Sequence, residues 1–248
     1  MESMDVLVTG AARGIGRAVA VACAARGARV GINYYRREDE ATKTAEACRA
    51  AGAADVLLLP GDVASGEDVK RFVGQVAERW GRLDVVMNNA GYGQPGKLEE
   101  VSEEDWDRAF AVHVKGAFYV CRATLPLLRQ SSRAVIINTG SVAGLRGLPK
   151  MITYGTVKAA LIHFTRCLAW ELADENIRVN AICPGIIRTD FHAAMSPEQY
   201  EHNLRNRIPL HREGTPEQIA AAVLALVDND YITGETLTVD GGLTMRIA

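Results

Sequence analysis

The chain of 248 residues lacks the features that mark membrane, secreted and nucleic-acid-binding proteins. No apolar run approaches the roughly 20 residues that a transmembrane helix needs. The first apolar run, 6–8, is followed at once by Thr9 and Gly10, which leaves no room for a signal peptide. The formal net charge is −2, and a surface for nucleic acid would need clustered basic residues. We therefore expect a soluble protein that binds neither membranes nor nucleic acid.

Cysteine and histidine are scarce, and neither forms a recognisable ligand pattern. The five cysteines are odd in number, widely spread and without a Cys-x-x-Cys pair, which favours a reducing, cytoplasmic location. His163, His192, His202 and His211 show no metal-ligand spacing, so we predict no metal site. Low-complexity linkers, internal repeats and shifts of composition are also missing. The sequence thus predicts a single domain over residues 1–248.

Short β-branched runs alternate with helical patterns from one end of the chain to the other. Seven runs are predicted to be strands: 6–9, 30–33, 56–59, 85–88, 135–138, 179–182 and 237–239. These runs are continuously apolar, which indicates a sheet covered by helices on both faces. The sequence therefore predicts an α/β fold built on a doubly wound parallel sheet.

Two helical patterns have apolar faces that can pack on this sheet. The residues at helical spacing are Ile15, Val19, Ala22 and Arg26 in the first pattern, and Ile219, Ala222, Val223 and Leu226 in the second. The region of about 186–215 has no strong period and is rich in His, Arg and Asn. We expect it to be a surface excursion of the kind that forms substrate lids.

A glycine-rich turn lies between the first strand and the first helix, with the sequence Thr9-Gly10-Ala11-Ala12-Arg13-Gly14-Ile15-Gly16. Free backbone N–H groups and the helix dipole favour a phosphate at such a place. Glycine lets the backbone turn tightly and approach the ligand closely. The turn alone is also compatible with a simple strand-to-helix connection, but its position after the very first strand indicates a dinucleotide site.

The end of the second strand bears on which dinucleotide is bound. NAD-binding folds usually place a carboxylate there for the ribose 2′-hydroxyl, whereas this strand ends in Asn33 and Tyr34. The acidic residues come later, at 38–40, and are typical of the first turn of a helix. Arg13 and Arg36 are available to a 2′-phosphate, although both could simply be solvated. We expect NADP(H) to be preferred, with NAD(H) possible.

Tyr154 and Lys158 are four residues apart in a stretch with helical periodicity, and Ser141 lies thirteen residues upstream of Tyr154. The spacing of four places the phenol and the ammonium on one helix face. A nearby cation lowers the pKa of a phenol by roughly 1–3 units from about 10, so the pair would exchange protons near neutral pH. On spacing alone, a helix-surface pair and a serine that ends a strand explain these residues equally well.

These residues are part of a wider signature, on which the chain resembles the short-chain dehydrogenase/reductase family along nearly its whole length. The shared motifs are the glycine turn, Asp62-Val63, Asn88-Asn89-Ala90-Gly91, Ser141, Tyr154-Gly155-Thr156-Val157-Lys158, Pro184-Gly185, Ile232-Thr233-Gly234-Glu235 and Asp240-Gly241-Gly242. The resemblance implies a Rossmann-type sheet with the strand order 3-2-1-4-5-6-7. It also implies a homotetramer as the usual assembly.

The resemblance assigns roles to residues beyond the glycine turn. It places Asp62 and Val63 at the adenine, Asn89, Ala90 and Gly91 along the cofactor, and Pro184, Gly185, Ile187 and Thr189 at the nicotinamide amide. Each motif also has a plain structural interpretation: Asp62 could cap the next helix, 89–91 could be only a turn, and Pro184-Gly185 could end a strand.

The chemistry that the resemblance implies is the interconversion of a ketone and a secondary alcohol. Hydride transfer between a nicotinamide and a carbonyl carbon requires a proton at the oxygen, and Tyr154 would give or take it. Lys158 would lower the pKa of that phenol and hydrogen-bond the nicotinamide ribose. Ser141 would hold the substrate oxygen in place.

One position departs from the family pattern. An asparagine of the family, which supports a water beside the lysine largely through its main chain, corresponds to His113 here. Spacing from Phe110 and Ala117 predicts that His113 faces the sheet. Two hypotheses remain open, because the imidazole either joins the proton relay or is a buried histidine with a satisfied hydrogen bond.

The segments 33–41 and 236–242 most resemble 3-oxoacyl-[acyl-carrier-protein] reductases and sugar 1-dehydrogenases. The substrate pocket is expected between residues 92–98, 141–151 and the excursion. The side chains proposed to line it are Leu145, Leu148, Met151, Phe191, His192, Met195 and Tyr200. Exposed arginines would help to bind an acyl carrier protein, and the candidates are Arg129, Arg133 and Arg146.

We expect an enzyme that reduces a 3-oxoacyl thioester, with a sugar 1-dehydrogenase or another ketone reductase as the alternative within the family. A function of another class is a catalytically impaired nucleotide-binding protein that senses redox state. Only the exchange at His113 favours that alternative, while Ser141, Tyr154 and Lys158 argue against it. A purely structural domain would leave the spacing of these three residues unexplained.

Overall fold

The computed structural model describes residues 4–189 and 195–245. Seven parallel strands form one sheet in the order β3-β2-β1-β4-β5-β6-β7. The strands are β1 Asp5–Val8, β2 Arg29–Tyr34, β3 Asp55–Pro60, β4 Val85–Asn88, β5 Val135–Thr139, β6 Arg178–Pro184 and β7 Thr236–Val239. All seven predicted strands are confirmed, and so is the strand order that the family resemblance implies.

Helices connect successive strands and cover both faces of the sheet. They are α1 Gly14–Ala24, α2 Glu38–Ala51, α3 Gly66–Trp80, α4 Glu103–Phe110, α5 Gly116–Leu128, α6 Ile152–Leu172, α7 Pro197–His202 and α8 Pro216–Asp228. A π-helical turn, Ala111–Lys115, joins α4 to α5, and short 3₁₀ turns occupy Val142–Gly144 and Ala173–Glu175.

The core consists of two apolar layers, one on each face of the sheet. Val6 and Val8 of β1 belong to the layer beneath α1, α2 and α8, whereas Leu7 belongs to the layer beneath α3, α5 and α6. Successive strand residues point to opposite faces, so a strand that is covered on both sides must be apolar at every position. The doubly wound architecture predicted from the continuous apolar runs is therefore confirmed.

The buried face of α1 differs from the predicted one. Val19 is buried as expected, but the other fully covered positions are Gly16, Ala20, Cys23 and Ala24. Arg26 lies outside the helix and pairs with exposed Asp228 at 2.7 Å. The helix packs against both the sheet and α8. Its buried surface is therefore wider than the single stripe that a hydrophobic period predicts.

The region of about 186–215 is more regular than its composition suggests. It contains α7 and a π-helical turn, Asn203–Arg207. Ser196 and Gln199 form a capping box at the start of α7, where each side chain accepts a hydrogen bond from the backbone N–H of the other residue. These elements lie within the predicted surface excursion, and no hydrophobic period indicates α7 because a helix of six residues is too short to produce one.

Candidate active site

The predicted catalytic residues meet beyond the carboxyl ends of β4 and β5. The strand order reverses between β1 and β4, since β1 is paired with β2 on one side and β4 on the other. Open α/β sheets bind ligands in the crevice at such a reversal. Ser141 follows β5 by two residues, while Tyr154 and Lys158 lie in the first two turns of α6.

Ser141 and Tyr154 are joined by a hydrogen bond between their side chains. Ser141 is buried, and its Oγ also accepts a hydrogen bond of 3.1 Å from the backbone N–H of Ala143. That second bond caps the 3₁₀ turn after β5. The serine hydroxyl is therefore fixed by the backbone on one side and by the phenol on the other.

Two glycines bring α6 close enough to make this contact. A Cβ on Gly144 would lie 2.7 Å from the carbonyl carbon of Lys158, and a Cβ on Gly155 would lie 3.0 Å from the carbonyl oxygen of Ala143. Side chains at these positions would separate the helix from the 3₁₀ turn. The glycine within Tyr154-Gly155-Thr156-Val157-Lys158 is thus explained by packing.

Lys158 is buried, and its ammonium is held by the backbone. Nζ donates a hydrogen bond of 2.7 Å to the carbonyl oxygen of Thr139, the last residue of β5. Nζ also lies 5.6 Å from the centroid of the Tyr154 ring. The predicted placement of phenol and ammonium on one face of a helix is confirmed.

The pKa of the phenol is raised in this structure, whereas the spacing to Lys158 predicts a lowered one. Burial raises the pKa of Tyr154 to about 12, while the hydrogen bond from Ser141 lowers it by less and the nearby Cys183 raises it further. Burial also lowers the pKa of Lys158 to about 8. A charged form is disfavoured in both groups because each is removed from water. At neutral pH the phenol therefore keeps its proton.

His113 lies in the π-helical turn between α4 and α5 and is 2% exposed. Its Nε2 is 3.1 Å from the carbonyl oxygen of Tyr92 and 3.3 Å from its backbone nitrogen. Its ring meets the Tyr154 ring edge-on at a centroid distance of 5.8 Å. Burial and, to a smaller extent, the charge of Lys158 hold the pKa of His113 well below 6.5, so the imidazole is neutral.

The glycine turn is pressed against the segment after β4. A Cβ on Gly10 would lie 2.7 Å from the Cα of Ala90, and a Cβ on Gly16 would lie 2.6 Å from Nδ2 of Asn89. That Nδ2 donates hydrogen bonds to the carbonyl oxygens of Thr9 and Gly10 at 3.0 and 3.1 Å. The side chain of Asn89 therefore locks the turn, in addition to any contact with a ligand.

The start of α1 is suited to a phosphate. Its first turn contains no acidic residue, and the side chain of Arg13 at the N-cap makes no capping hydrogen bond. Serine or threonine caps α3, α4, α7 and α8. Thr189 closes the other side, since its Cγ2 would lie 3.5 Å from a Cβ on Gly14. These backbone donors fit the phosphates of a dinucleotide.

Among the residues predicted to bind the cofactor at the end of β2, some are buried in the structure and one, Arg36, is exposed. Asn33 is buried and donates to the carbonyl oxygens of Leu59 and Gly61 at 3.0 and 3.1 Å, so its side chain holds β2 to β3. Tyr34 is buried as well. Arg36 has a positive φ of 57° and carries its guanidinium 4.9 Å from the ring centroid of Tyr35.

Glu40 lies among the arginines at this end of the sheet. It pairs with Arg37 at 2.8 Å and lies 3.8 Å from Arg13. Glu40 belongs to the acidic first turn of α2, as predicted for residues 38–40. Its charge is therefore offset by two neighbouring guanidinium groups.

Asp62 and Val63 lie just after β3, but Asp62 does not cap α3. That role belongs to Ser65, whose hydroxyl accepts a hydrogen bond of 3.2 Å from the backbone of Asp68. Asp62 instead accepts a hydrogen bond of 2.7 Å from Arg108. Val63 is buried against Gly116, the first residue of α5.

The segment after β6 is fixed by β7. The backbone N–H of Gly185 donates to the carbonyl oxygen of Val239 at 3.0 Å, and a Cβ on Gly185 would lie 2.7 Å from the Cα of Asp240. Ile187 is buried and forms an isolated bridge with Gly214. Pro184 ends β6, so this motif both ends a strand and approaches the glycine turn through Thr189.

Two loops that were predicted to form the substrate pocket are joined across their tips. Gly96 and Met151 form an isolated parallel bridge, in which the N–H of Gly96 donates to Lys150 at 2.8 Å. Lys150 has a positive φ of 58° there. Leu145 and Leu148, in the second of these loops, are half-buried. Phe191 and His192, also predicted to line the pocket, lie outside the described residues.

Two of the three arginines proposed to bind an acyl carrier protein lie at the wrong edge of the sheet. Arg129 follows the end of α5 and pairs with Glu175 at 2.6 Å, and Arg133 lies 3.5 Å from Asp84 before β4. In a parallel α/β fold, helices end beside the amino ends of the strands, opposite the site. Of the three, Arg146 alone is next to the 3₁₀ turn Val142–Gly144 that follows Ser141.

The described residues contain neither a candidate metal cluster nor a candidate membrane-spanning helix. Within residues 4–189 and 195–245, no three His, Cys, Asp or Glu side chains come together in a way that would hold a metal ion. In the same part of the chain, each helix is too short or too polar to cross a membrane.

Comparison with known proteins adds relatives of nearly the same length. A family profile described as enoyl-(acyl carrier protein) reductase matches residues 10–244. An uncharacterized oxidoreductase of Thermotoga maritima is 39% identical over 246 residues, covering 96% of each chain. The 3-oxoacyl-[acyl-carrier-protein] reductase FabG of Staphylococcus aureus is 40% identical over 244 residues, covering 97% of this chain and 98% of the other.

A solved structure agrees with the fold over the whole chain. It is YwfH, described as an NADPH-dependent reductase involved in bacilysin biosynthesis. Its TM-score is 0.91 at 28% identity, covering 99% of this chain and 100% of the other. The sheet, its connections and the crevice are therefore shared with a reductase of known structure.

Proposed function

Because the chain belongs to the short-chain dehydrogenase/reductase family and is an NAD(P)-dependent oxidoreductase, we propose that it uses NADPH to reduce a 3-oxoacyl thioester to the secondary alcohol. The observation that carries the proposal is the phenol of Tyr154, hydrogen-bonded to Ser141 and one helical turn from Lys158. We propose the following roles for individual residues as part of this function.

Tyr154 is set to donate rather than accept a proton. Its pKa of about 12 keeps the hydroxyl protonated at neutral pH. A bound nicotinamide supplies the hydride for the carbonyl carbon. The phenol then delivers a proton to the carbonyl oxygen as negative charge develops there, and Ser141 holds that oxygen by a hydrogen bond. The ammonium of Lys158 stabilises the phenolate that remains.

The binding of the cofactor is assigned to the backbone and to two arginines. The first turn of α1 and the side chain of Thr189 would hold its phosphates. Arg13 and Arg36 would recognise the 2′-phosphate of NADPH, since the end of β2 has no carboxylate and Glu40 is offset by its neighbours. A clear preference for NADH in Michaelis constants would overturn this assignment.

Support for the acyl substrate comes from the FabG relatives and from the half-buried Leu145 and Leu148, which follow the 3₁₀ turn Val142–Gly144. The family alternatives, a sugar 1-dehydrogenase or another ketone reductase, would use the same three residues with a different pocket. We also propose a cytoplasmic homotetramer, on the family resemblance. A catalytically impaired redox sensor is disfavoured by the intact hydrogen bond between Ser141 and Tyr154.

The test is an assay of reduced-nicotinamide absorbance with both cofactors against acetoacetyl thioesters, diketones, ketosteroids and aldoses. We expect NADPH oxidation with the acetoacetyl thioester, and loss of turnover in Tyr154→Phe by at least about 10²-fold with NADPH binding retained. If Tyr154→Phe keeps most of its kcat, the mechanism is wrong. If only aldoses react, the family alternative replaces the acyl substrate.

A further inference from the structure

The two ring nitrogens of His113 have different surroundings. Nε2 lies within hydrogen-bond distance of both backbone polar groups of Tyr92, at 3.1 Å from the oxygen and 3.3 Å from the nitrogen. Nδ1 is buried and has no hydrogen-bond partner among the residues that the structure describes. A neutral imidazole either donates or accepts at a given nitrogen. In either tautomer, Nε2 ties down the backbone of Tyr92.

The other edge of the imidazole fills the space above Gly91. A Cβ on Gly91 would lie 2.4 Å from Cε1 and 2.8 Å from Nδ1 of His113, and the three nearest atoms all belong to this ring. His113 therefore fixes two consecutive residues, Gly91 by contact and Tyr92 by hydrogen bonding. These residues continue the segment whose Asn89 locks the glycine turn.

The same ring also supports the proton donor. His113 meets the ring of Tyr154 nearly at a right angle, 84°, with the centroids 5.8 Å apart. Its Nδ1–Cε1 edge faces the carbon of Gly91 rather than a group that exchanges protons. One side chain therefore touches the wall of the cofactor crevice and the catalytic phenol.

We propose that His113 is a positioning residue, which uses Nε2 and its ring edges to set the segment Asn89–Tyr92 relative to the hydroxyl of Tyr154. The inference rests on the proposed function of Tyr154. It extends the second hypothesis drawn from the sequence, since His113 is buried with a satisfied hydrogen bond at Nε2, and it departs from the first, because the imidazole carries no proton in the reaction.

Replacing His113 by glutamine or by asparagine distinguishes the role of Nε2 from that of Nδ1. The end of a glutamine side chain reaches about as far as Nε2, whereas an asparagine reaches only about as far as Nδ1. We expect His113→Gln to keep kcat and the Kd for NADPH within about twofold of the wild type. His113→Asn and His113→Phe should lower kcat about tenfold, the rate equivalent of one lost hydrogen bond, with little change in KM for the ketone.

The other outcomes of this comparison overturn the proposal. An active His113→Asn beside an impaired His113→Gln would make Nδ1 the working atom and favour a proton relay. Three variants with the wild-type rate would leave the side chain without a role. Equal losses in all three would mean that Nε2 does not tie the segment.

A second measurement needs no turnover. Gly91→Ala should lower the Tm by about 5 °C, because the new methyl collides with the ring of His113. In a His113→Ala background, adding Gly91→Ala should lower the Tm by less than it does in the wild type. Gly74→Ala is the control, since a Cβ at this exposed helical glycine meets no atom within 4 Å. Additive effects of the two substitutions would contradict the contact.

Failure of the proposed function gives a different pattern. If the wild type reduces no carbonyl compound, or if Tyr154→Phe stays active, the coupling between Gly91 and His113 in Tm and in NADPH binding would still be observed. A loss of that coupling in an enzyme that depends on Tyr154 would count against His113 alone.

Discussion

Lys158 is buried and Tyr154 is half-buried, and neither carries its charge easily. Burial lowers the pKa of Lys158 to about 8 and raises that of Tyr154 to about 12. The ammonium has one hydrogen bond, to Thr139, in return for the water it loses. A charged group buried in this way reduces the stability of the fold.

Replacing the ammonium should therefore stabilise the protein while abolishing turnover. Below about pH 8 the lysine is charged in both the folded and unfolded states, so the folded state bears the full cost. We expect Lys158→Met to raise the free energy of unfolding near neutral pH by up to about 3 kcal/mol. The variant keeps the length of the apolar stem and removes only the charge.

The pH dependence fixes the cause. The unfolded lysine holds its proton up to its ordinary pKa of 10.5, whereas the folded one loses it near 8. Because the unfolded state binds the extra proton in this window, wild-type stability gains with rising pH and the advantage of Lys158→Met shrinks. Urea unfolding near pH 7 and near pH 9 measures both. Exposed Lys70→Met should change little, and a constant difference between the two pH values would contradict the argument.

The sequence predicts which residues meet at the site but not their protonation. Spacing along α6 correctly placed Tyr154 and Lys158 on one face. The direction of the phenol's pKa shift depends on how much water the surrounding loops exclude, and those loops come from distant parts of the chain. For the same reason, no pattern in the sequence indicates that the side-chain amide of Asn33 donates its hydrogen bonds to the carbonyl oxygens of Leu59 and Gly61.

At the level of whole elements, the carboxyl end of α8 is held by Arg178 of β6. The guanidinium of Arg178 donates to the carbonyl oxygens of Leu226, Val227 and Ile232 at 2.7, 2.9 and 3.0 Å. The last carbonyl groups of a helix have no partner within the helix, and a cation there also favours the helix dipole. Arg178 thus connects α8, β6 and the segment before β7.

Removing this arginine should loosen the last third of the sheet. We expect Arg178→Ala to lower the free energy of unfolding by about 3 kcal/mol, because three partly buried carbonyl groups lose a charged donor. Arg178→Lys should recover only part of it, since an ammonium lacks the planar fork. Urea unfolding of the three proteins decides. Equal stability of the lysine variant and the wild type would show that charge alone suffices.

Elements followed the hydrophobic pattern wherever they were long and covered. The seven strands and the helices that pack on them were predictable because burial on both faces demands apolar residues throughout. The π-helical turn Ala111–Lys115 was not, because one additional residue in a helix leaves the apolar spacing nearly unchanged. In it, the N–H of Gly116 donates to Ala111, and both Val112 and His113 are buried.

Across the whole molecule, the two edges of the sheet have different tasks. The carboxyl edge holds buried polar atoms that have no hydrogen-bond partner within residues 4–189 and 195–245, including Nδ1 of His113 and Oγ1 of Thr139. The amino edge holds a closed ion cluster instead. Asp5, 0% exposed, accepts hydrogen bonds from Arg29 at 2.6 Å and Arg82 at 3.2 Å. The edge that we propose to bind ligands thus lies opposite an edge at which the buried charge of Asp5 is paired.

The cluster at the amino edge should determine stability without affecting the reaction. Asp5→Asn keeps the shape of the side chain but removes a buried carboxylate that pairs with Arg29 and Arg82, which leaves Arg82 with Asp84 at 3.6 Å, so we expect the free energy of unfolding to fall by about 3 kcal/mol. The exposed pair of Arg205 and Glu201 is the matched control, because Glu201→Gln should cost less than about 0.5 kcal/mol. Urea unfolding gives both values, and kcat per folded molecule should be unchanged in both variants. An impaired kcat in folded Asp5→Asn would mean that the two edges are coupled through β1, against the division argued here.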